Sequence, residues 1–184
     1  IGAIAAFKRL HPEVDLDIHD LPMQDQEEAL RDDRVRLIFM PCAKIARELK
    51  DFASRSFATA QMSAVVNFAH PLASRESIAV AELKGEPWLT LDGRDTNGYR
   101  NFISEICARV GFRPIFRKAA KSLQSLMGMV GSGQGICLLP DFVVPLTLPL
   151  IRAIPTDVEK LELAAVYRPD DGNPILKEFL ALLG

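Results

Sequence analysis

Apolar positions along the chain repeat with two different periods, and the switches between them mark out the elements. Ile1, Ile4, Phe7 and Leu10 share one helical face, and Pro12 stops that helix near His11 because proline disfavours helical angles in the residue before it. Val14, Leu16 and Ile18 then alternate with Asp15, Asp17 and His19, which predicts a strand with one polar face. Residues 24–33 read as a polar helix with Ala29 and Leu30 turned inward, and residues 35–40 as an apolar strand bounded by Pro41. Residues 57–68 read as one long strand or two, ahead of His70-Pro71, and residues 77–83 as a connection. A second run follows: strand 88–91, helix 99–110, strand 114–118, helix 122–132 and strand 136–139. Pro145 and Pro149 break any long helix after it, residues 161–167 return as a strand, and residues 174–183 close as a helix. Helices alternating with short apolar strands predict an α/β protein of two small units, its strands paired in parallel through right-handed crossovers.

The stretch from Ala119 to Pro140 is the most informative. Ser122 is a good N-cap, and Leu123, Leu126, Met127 and Val130 recur at helical spacing behind it. Gly131, Gly133 and Gly135 read as the end of the helix, and Ile136 to Leu139 as a strand covered on both faces. The glycines superficially resemble a phosphate-cradling loop. They follow a helix and precede a strand, however, which is the reverse of the order that aims amides at a phosphate, so they are a structural break.

With 184 residues and 48% hydrophobic content the chain has enough apolar surface for a substantial core. The formal net charge is −2 and no dense Lys/Arg run appears, so the chain by itself lacks the electrostatic footprint of a DNA-binding surface. Cys42, Cys107 and Cys137 are far apart and lie in or beside apolar segments, as suits reduced thiols rather than a disulfide framework. No apolar run is long enough to cross a bilayer, and the visible start has neither a charged n-region nor a cleavage site. These features together predict a cytoplasmic protein with no membrane contact.

Ligands of open α/β sheets bind outside the carboxyl ends of the strands. The residues just past each predicted strand are therefore the candidates: Pro41 and Cys42; Asp92, Gly93, Thr96, Asn97 and Gly98, leading to Tyr99; Lys121, Ser122 and Gln124; Pro140 and Phe142. Two of these loops feed helix N-termini, at Asn97-Gly98-Tyr99 and at Ser122-Leu123-Gln124, where free amides and the positive dipole end favour an anion. That points to a small molecule bearing a carboxylate, with Tyr99 and Phe142 as an aromatic wall. Each candidate also has a plainer role: Ser122 and Asn97 as caps, Lys121 as a solvated charge, Phe142 as core packing, Cys42 as a small buried hydrophobe. His11, His19 and His70 have no cysteine or serine at a spacing that suggests nucleophilic catalysis, and no zinc-ligand spacing occurs, so neither an enzyme nor a metal or cofactor is expected.

The 119–140 stretch resembles the effector-binding domain of LysR-type transcriptional regulators. The same family order runs through Phe7-Lys8-Arg9-Leu10-His11-Pro12-Glu13-Val14, His70-Pro71-Leu72-Ala73, Ala81-Glu82-Leu83 ahead of Pro87-Trp88-Leu89, and Gly111-Phe112-Arg113-Pro114, so nearly the whole chain is covered. The resemblance implies a periplasmic-binding-protein-like (type 2) fold, two Rossmann-like lobes joined by two crossing strands near 74–80 and 163–168. Lobe I would comprise residues 1–76 with 166–184, and lobe II residues 77–165. It further implies a strand ahead of the first helix, a winged helix-turn-helix DNA-binding domain outside this chain, and a homodimer or tetramer paired through the Ile1–Leu10 helix. An effector in the interlobe cleft would shift the conformation of such an assembly. Asp33 and Arg36 stand where the family has a glycine and an acidic residue, which puts the geometry of that turn in doubt. The competing reading is a free-standing periplasmic-type solute-binding protein, which would need a signal peptide; a catalytic domain using the same cleft would need an acid–base–nucleophile set.

Overall fold

The computed structural model describes residues 2–19, 21, 23–40, 49–91, 96–144 and 149–183, with the backbone alone at 23–24 and 96–98. In chain order the elements are α1 (Gly2–Leu10), α2 (Met23–Arg31), β1 (Leu37–Met40), β2 (Ala53–Ala60), β3 (Met62–Asn67), β4 (Pro87–Leu91), α3 (Thr96–Arg109), β5 (Ile115–Ala120), α4 (Leu123–Gly131), β6 (Cys137–Pro140), β7 (Ile151–Pro155), β8 (Leu161–Tyr167) and α5 (Pro174–Ala181). Short 3-10 turns cover Pro71–Ser74, Val80–Leu83 and Asp141–Val143. Among the described residues no helix is long and apolar enough to cross a membrane.

The chain divides into two compact units, residues 1–59 with 162–184, and residues 60–161. The breaks fall earlier than the expected 76/77 and 165/166. At the first break β3 pairs on one edge with β6 and on the other with β7 and so belongs to the second unit; at the second, β8 pairs with β1 and so belongs to the first.

In the first unit β8 is the middle strand of a sheet ordered β1-β8-β2, and it runs antiparallel to β1 from Leu37↔Tyr167 to Met40↔Ala164. Its side chains alternate between two cores, as the two-residue period of a strand requires. Ala164 and Val166 join Leu30, Ile38 and Met40, while Ala165 joins Phe7, Leu176, Phe179 and Leu180 from α1 and α5. The inward pair predicted for α2, Ala29 and Leu30, is fully buried. Leu10, expected on the buried face of α1, is 63% exposed, because α1 turns only Phe7 completely inward. The segment from Val14 to Asp17 keeps its alternation, with Val14 and Leu16 packed against the α1/α5 core and Asp15 and Asp17 exposed, whereas Ile18 faces water. The segment nevertheless forms no strand, since among the described residues it has no ladder partner.

An ion-pair brace holds the α2–β1 turn to the β8–α5 turn. Arg168 donates to the Leu30 carbonyl at 2.8 Å and to Asp33 Oδ1 at 2.5 Å, and Arg36 donates to Asp171 Oδ2 at 3.0 Å. Asp33 sits at φ 60°, a left-handed angle that aspartate tolerates better than most side chains. The two residues that depart from the family pattern thus become the partners of Arg168 and Asp171. Desolvation pushes the Asp171 carboxyl up, but the Asn173 amide and the Arg36 guanidinium outweigh it and hold the group below its ordinary value.

In the second unit β3 is central to a sheet ordered β6-β3-β7, both pairings antiparallel, and β4 pairs with β5 in parallel. The expected all-parallel pairing therefore holds for β4 and β5, and for a single bridge between Trp88 and Ile136, but not for β3 with its two neighbours. Antiparallel strands need no crossover between them, and β3 receives its partners from much later in the chain. Strand β7, which the pattern around Pro149 hid, is one of them. The two faces again sort by parity. Met62, Ala64, Trp88, Ile136 and Leu138 face α3, where Ile103, Ile106 and Cys107 await them; Val65, Leu89, Cys137 and Leu139 face Leu126, Met127 and Val130 of α4. Trp88 is 1% exposed and Leu126 and Leu138 are buried equally well; each such side chain contributes about 1.5–3 kcal/mol through the water it leaves.

The three glycines of the α4–β6 link have different jobs. Gly131 is still helical, so it does not break the helix as expected; Gly133, at φ 74°, makes the turn. Gly135 lets β6 approach β4, for a Cβ there would enter the Pro87 carbonyl oxygen and press on Leu89. Gly135→Ala should therefore lower stability by about 1–3 kcal/mol, the usual cost of overpacking. Gly128→Ala, in a helical position with open space around it, should raise stability by about 0.5–1 kcal/mol, and urea titration of the two variants beside wild type checks both. For Asp171 the sign follows from its depressed value: the unfolded chain takes up the proton first, so the contribution is whole above the ordinary carboxylate range and fades below it. Asp171→Asn should accordingly be less stable than wild type at neutral pH, and the gap between the two should narrow as the pH falls below about 4.

Candidate functional site

Strands β4 and β5 are parallel, and β6 joins them in the same direction where Leu89 donates to Ile136 and Ile136 to Pro87. Their carboxyl ends, at Leu91, Ala120 and Pro140, consequently lie at one end of the unit. The chain leaves them toward the N-termini of α3 and α4 and into the 3-10 turn Asp141–Val143. This convergence of strand ends and helix N-termini is the arrangement in which α/β proteins place ligands.

At α4 the geometry is complete. Ser122 adopts extended angles (φ −151°, ψ 162°), and its hydroxyl oxygen accepts from the Ser125 amide at 3.1 Å. The Ser125 hydroxyl lies 3.0 Å from it. A helix cannot satisfy its own first amides, and with Ser125 capped those of Leu123 and Gln124 remain at the helix end. Gln124 and Lys121 are exposed there, and Ser122 is half-buried. Ser122 is thus both a cap and a member of the strand-end surface.

Helix α3 begins at Thr96, three residues ahead of the expected start at Tyr99, so Asn97 and Gly98 lie in its first turn. Tyr99 follows them, and its ring packs into both cores of the unit, with Leu91, Leu123 and Ala120 among its cluster. Its hydroxyl is buried and has no hydrogen-bond partner among the described residues. Burial, and then the neighbouring Cys137, push the phenol well above its ordinary pKa, so it stays a neutral donor. Pro140 is buried at the end of β6, opposite Met62. Phe142 is 58% exposed, which overturns the plainer expectation that it packs in the core; the 3-10 turn carries it outward. Pro41, Cys42, Asp92 and Gly93 lie outside the described residues. Thr90, 1% exposed one residue before the end of β4, is a polar group in this region that the strand pattern passed over, although a threonine inside Trp88-Leu89-Thr90-Leu91 is a visible signal.

The remaining titratable groups show what chemistry is at hand. Burial pushes the Cys107 thiol up to about 11 and the Cys137 thiol higher still, so neither is a thiolate near neutral pH. Each histidine faces a carboxylate: His11 lies 2.7 Å from Glu178, His19 3.1 Å from Asp17 and His70 3.4 Å from Glu86. Among the described residues no three metal-ligating side chains gather.

The LysR substrate binding domain model matches residues 1–184. The chain is 26% identical over 188 residues to the HTH-type transcriptional regulator AlsR of Bacillus subtilis, covering 96% of this chain and 58% of the regulator. It spans about half the length of the curated relatives it matches. Among solved structures it is similar to the BenM effector binding domain with its effector benzoate, at a TM-score of 0.83 and 16% identity, covering 99% of this chain and 82% of that one. It is also similar to the effector binding domain of QuiR in complex with shikimate, at a TM-score of 0.82 and 15% identity, covering 99% and 87%. The fold is that of these effector-binding domains, the periplasmic-binding-protein-like type 2 α/β fold, and the chain belongs to the LysR substrate binding domain family.

Proposed function

We propose that the chain is the effector-sensing and oligomerising part of a bacterial LysR-type transcriptional regulator, and that its effector is a small carboxylate. The observation that carries the ligand class is the convergence of β4, β5 and β6 on two helix N-termini, with the amides of Leu123 and Gln124 open beside Ser122. Such a helix end stabilises an anion by about 0.3–1 kcal/mol when exposed and more when partly buried. Benzoate and shikimate, bound by the two structural relatives, are both carboxylates. Ser122, Gln124 and the first turn of α3 at Asn97, Gly98 and Tyr99 are the contacts proposed in this unit. Pro140 and Phe142, at and past the end of β6, are proposed with them, and Pro41, Cys42 and Asp92 are proposed from the sequence alone.

In this reading the chain turns nothing over. The effector acts by binding one conformation more tightly than another, and only that difference in affinity shifts the population. DNA is bound by a separate helix-turn-helix domain, subunits pair through α1, and the protein works in the cytoplasm. The net charge of −2 supports the division of labour, because a chain without a basic stripe has little to offer a phosphate backbone. The solute-binding alternative is disfavoured by the relatives, which are named as regulators.

A thermal-shift screen of small aliphatic and aromatic carboxylates, benzoate and shikimate among them, should raise the melting temperature with at least one compound, because a ligand bound only by the native state adds to its stability. With that compound, the Ser122→Ala, Gln124→Ala double variant should bind about tenfold more weakly by calorimetry, with an unchanged far-ultraviolet spectrum. Equal affinity would remove α4 from the site. Sedimentation of the 184-residue chain should show self-association, and a gel-shift assay with duplex DNA should show no band displacement.

A further inference from the structure

The second unit holds a cavity of about 270 Å³ that the strand-end site does not use. It lies between the C-terminal half of α3 and the segment 157–161 that leads out of the unit. Along α3, Glu105 is roughly 13 Å from the first residue, so the cavity and the effector-binding end are separate places on one helix.

Its floor is the edge of the apolar core. Val80 and Ile106 are buried members of that core, and Phe102, Val158 and Leu161 pack against it; all five line the cavity. The mouth is charged. Glu105 and Arg109 come from successive turns of α3, and Glu159 and Lys160 from the facing segment. None of these four forms an ion pair among the described residues, although Glu105 and Arg109 stand at the spacing that lets helical side chains pair. The facing segment is pinned in place, since Asp157 Oδ1 accepts from the Val80 amide at 2.8 Å. Asp157 is therefore already committed, and the free charges at the mouth are two acidic and two basic.

An apolar floor below two unpaired charges of each sign matches a ligand with an apolar body and both charges at one end. A plain carboxylate would leave Glu105 and Glu159 facing it, and a plain amine would leave Arg109 and Lys160. We propose that this cavity is a second binding site and that it takes a zwitterion with an apolar side chain, an α-amino acid of the leucine or phenylalanine kind. The carboxylate pairs with Arg109 and Lys160, the ammonium with Glu105 and Glu159, and the side chain covers Ile106 and Val158.

The test is an NMR titration of the isotope-labelled 184-residue chain with L-leucine, run beside N-acetyl-L-leucinamide, which keeps the side chain and removes both charges. Leucine should shift the resonances of Val80, Ile106, Val158 and Leu161, and the uncharged derivative should not at the same concentrations. Arg109→Ala, a change at an exposed position, should weaken leucine binding about tenfold, as expected for loss of a charge-assisted hydrogen bond. Val158→Trp, which fills the cavity, should abolish it. No shifts at these residues up to the solubility of leucine would overturn the proposal. So would equal binding of the uncharged derivative, unchanged affinity in Arg109→Ala, or shifts at Tyr99, Ser122 and Gln124 in place of the cavity residues. The last result would instead put the amino acid at the strand-end site, whose own test is separate.

Discussion

Hydrogen bonding along both edges of β3 is the constraint on which the second unit depends. Its residues Met62 to Val65 face Pro140 to Cys137 on one side, and Ser63 to Asn67 face Pro155 to Ile151 on the other. A strand paired on both edges and covered on both faces has nowhere to expose a polar side chain without a partner. Hence Met62, Ala64, Val65 and Val66 are fully buried, and Ser63 is the exception that the ladder tolerates. Because both partners come late in the chain, β3 cannot be completed until nearly the whole unit is present. Such non-local pairing defers the gain until a long loop has been closed. The side chain of Gln61 strengthens the same junction by donating to the Thr156 carbonyl at 2.8 Å, while the main-chain carbonyl of Gln61 accepts from the Asp141 amide.

From β3 the direction of the site follows. Strand β6 is held by β3 on one edge and touches β4 on the other, through the close approach that Gly135 allows. Antiparallel pairing with β3 fixes the direction of β6, and the bridge to β4 makes β4 and then β5 run the same way. Three carboxyl ends are thereby gathered at one edge. Two helices must start there, since each strand returns through a helix on its own face of the sheet: α3 over Trp88 and Ile136, α4 over Leu89 and Cys137. Reversing β6 would scatter the strand ends, and the helix N-termini would no longer share a surface.

Much of this is written locally and some of it is not. Ser122, the Leu123-Leu126-Met127-Val130 spacing and the apolar run to Leu139 each state their structure within a few residues, and the structure agrees with all three. Pairing partners are not local information. Nothing near Val14, Leu16 and Ile18 says whether a neighbouring strand exists, and nothing in Ile151-Arg152-Ala153-Ile154-Pro155, next to two prolines, advertises a strand that Ser63 will hold. The same limit applies to glycine. Gly131, Gly133 and Gly135 look alike in sequence, yet the first has a helical angle, the second a left-handed one, and the third a positive φ together with the space of a missing side chain. For the site, position after a strand was legible, while burial was not. Phe142 faces water because a 3-10 turn intervenes, and Tyr99 packs into two cores because α3 starts directly over the sheet.

The donor and acceptor balance of the strand-end surface carries the ligand class further than its shape does. A serine hydroxyl offers one donor and two acceptor positions. At Ser122 one acceptor position is occupied by the Ser125 amide and the Ser125 hydroxyl lies 3.0 Å away, so capping the helix takes up part of its hydrogen-bonding capacity. The amides of Leu123 and Gln124 are donors only. The Tyr99 phenol, kept protonated by its burial, has a donor to give and no partner to receive it among the described residues. Lys121 adds a positive charge at the same end. Structural capping and the proposed ligand class are therefore linked: the Ser122 oxygen serves its helix, and the first-turn amides it does not cap are donors. The proposed carboxylate, rich in acceptors, suits such a surface better than a neutral molecule of the same size.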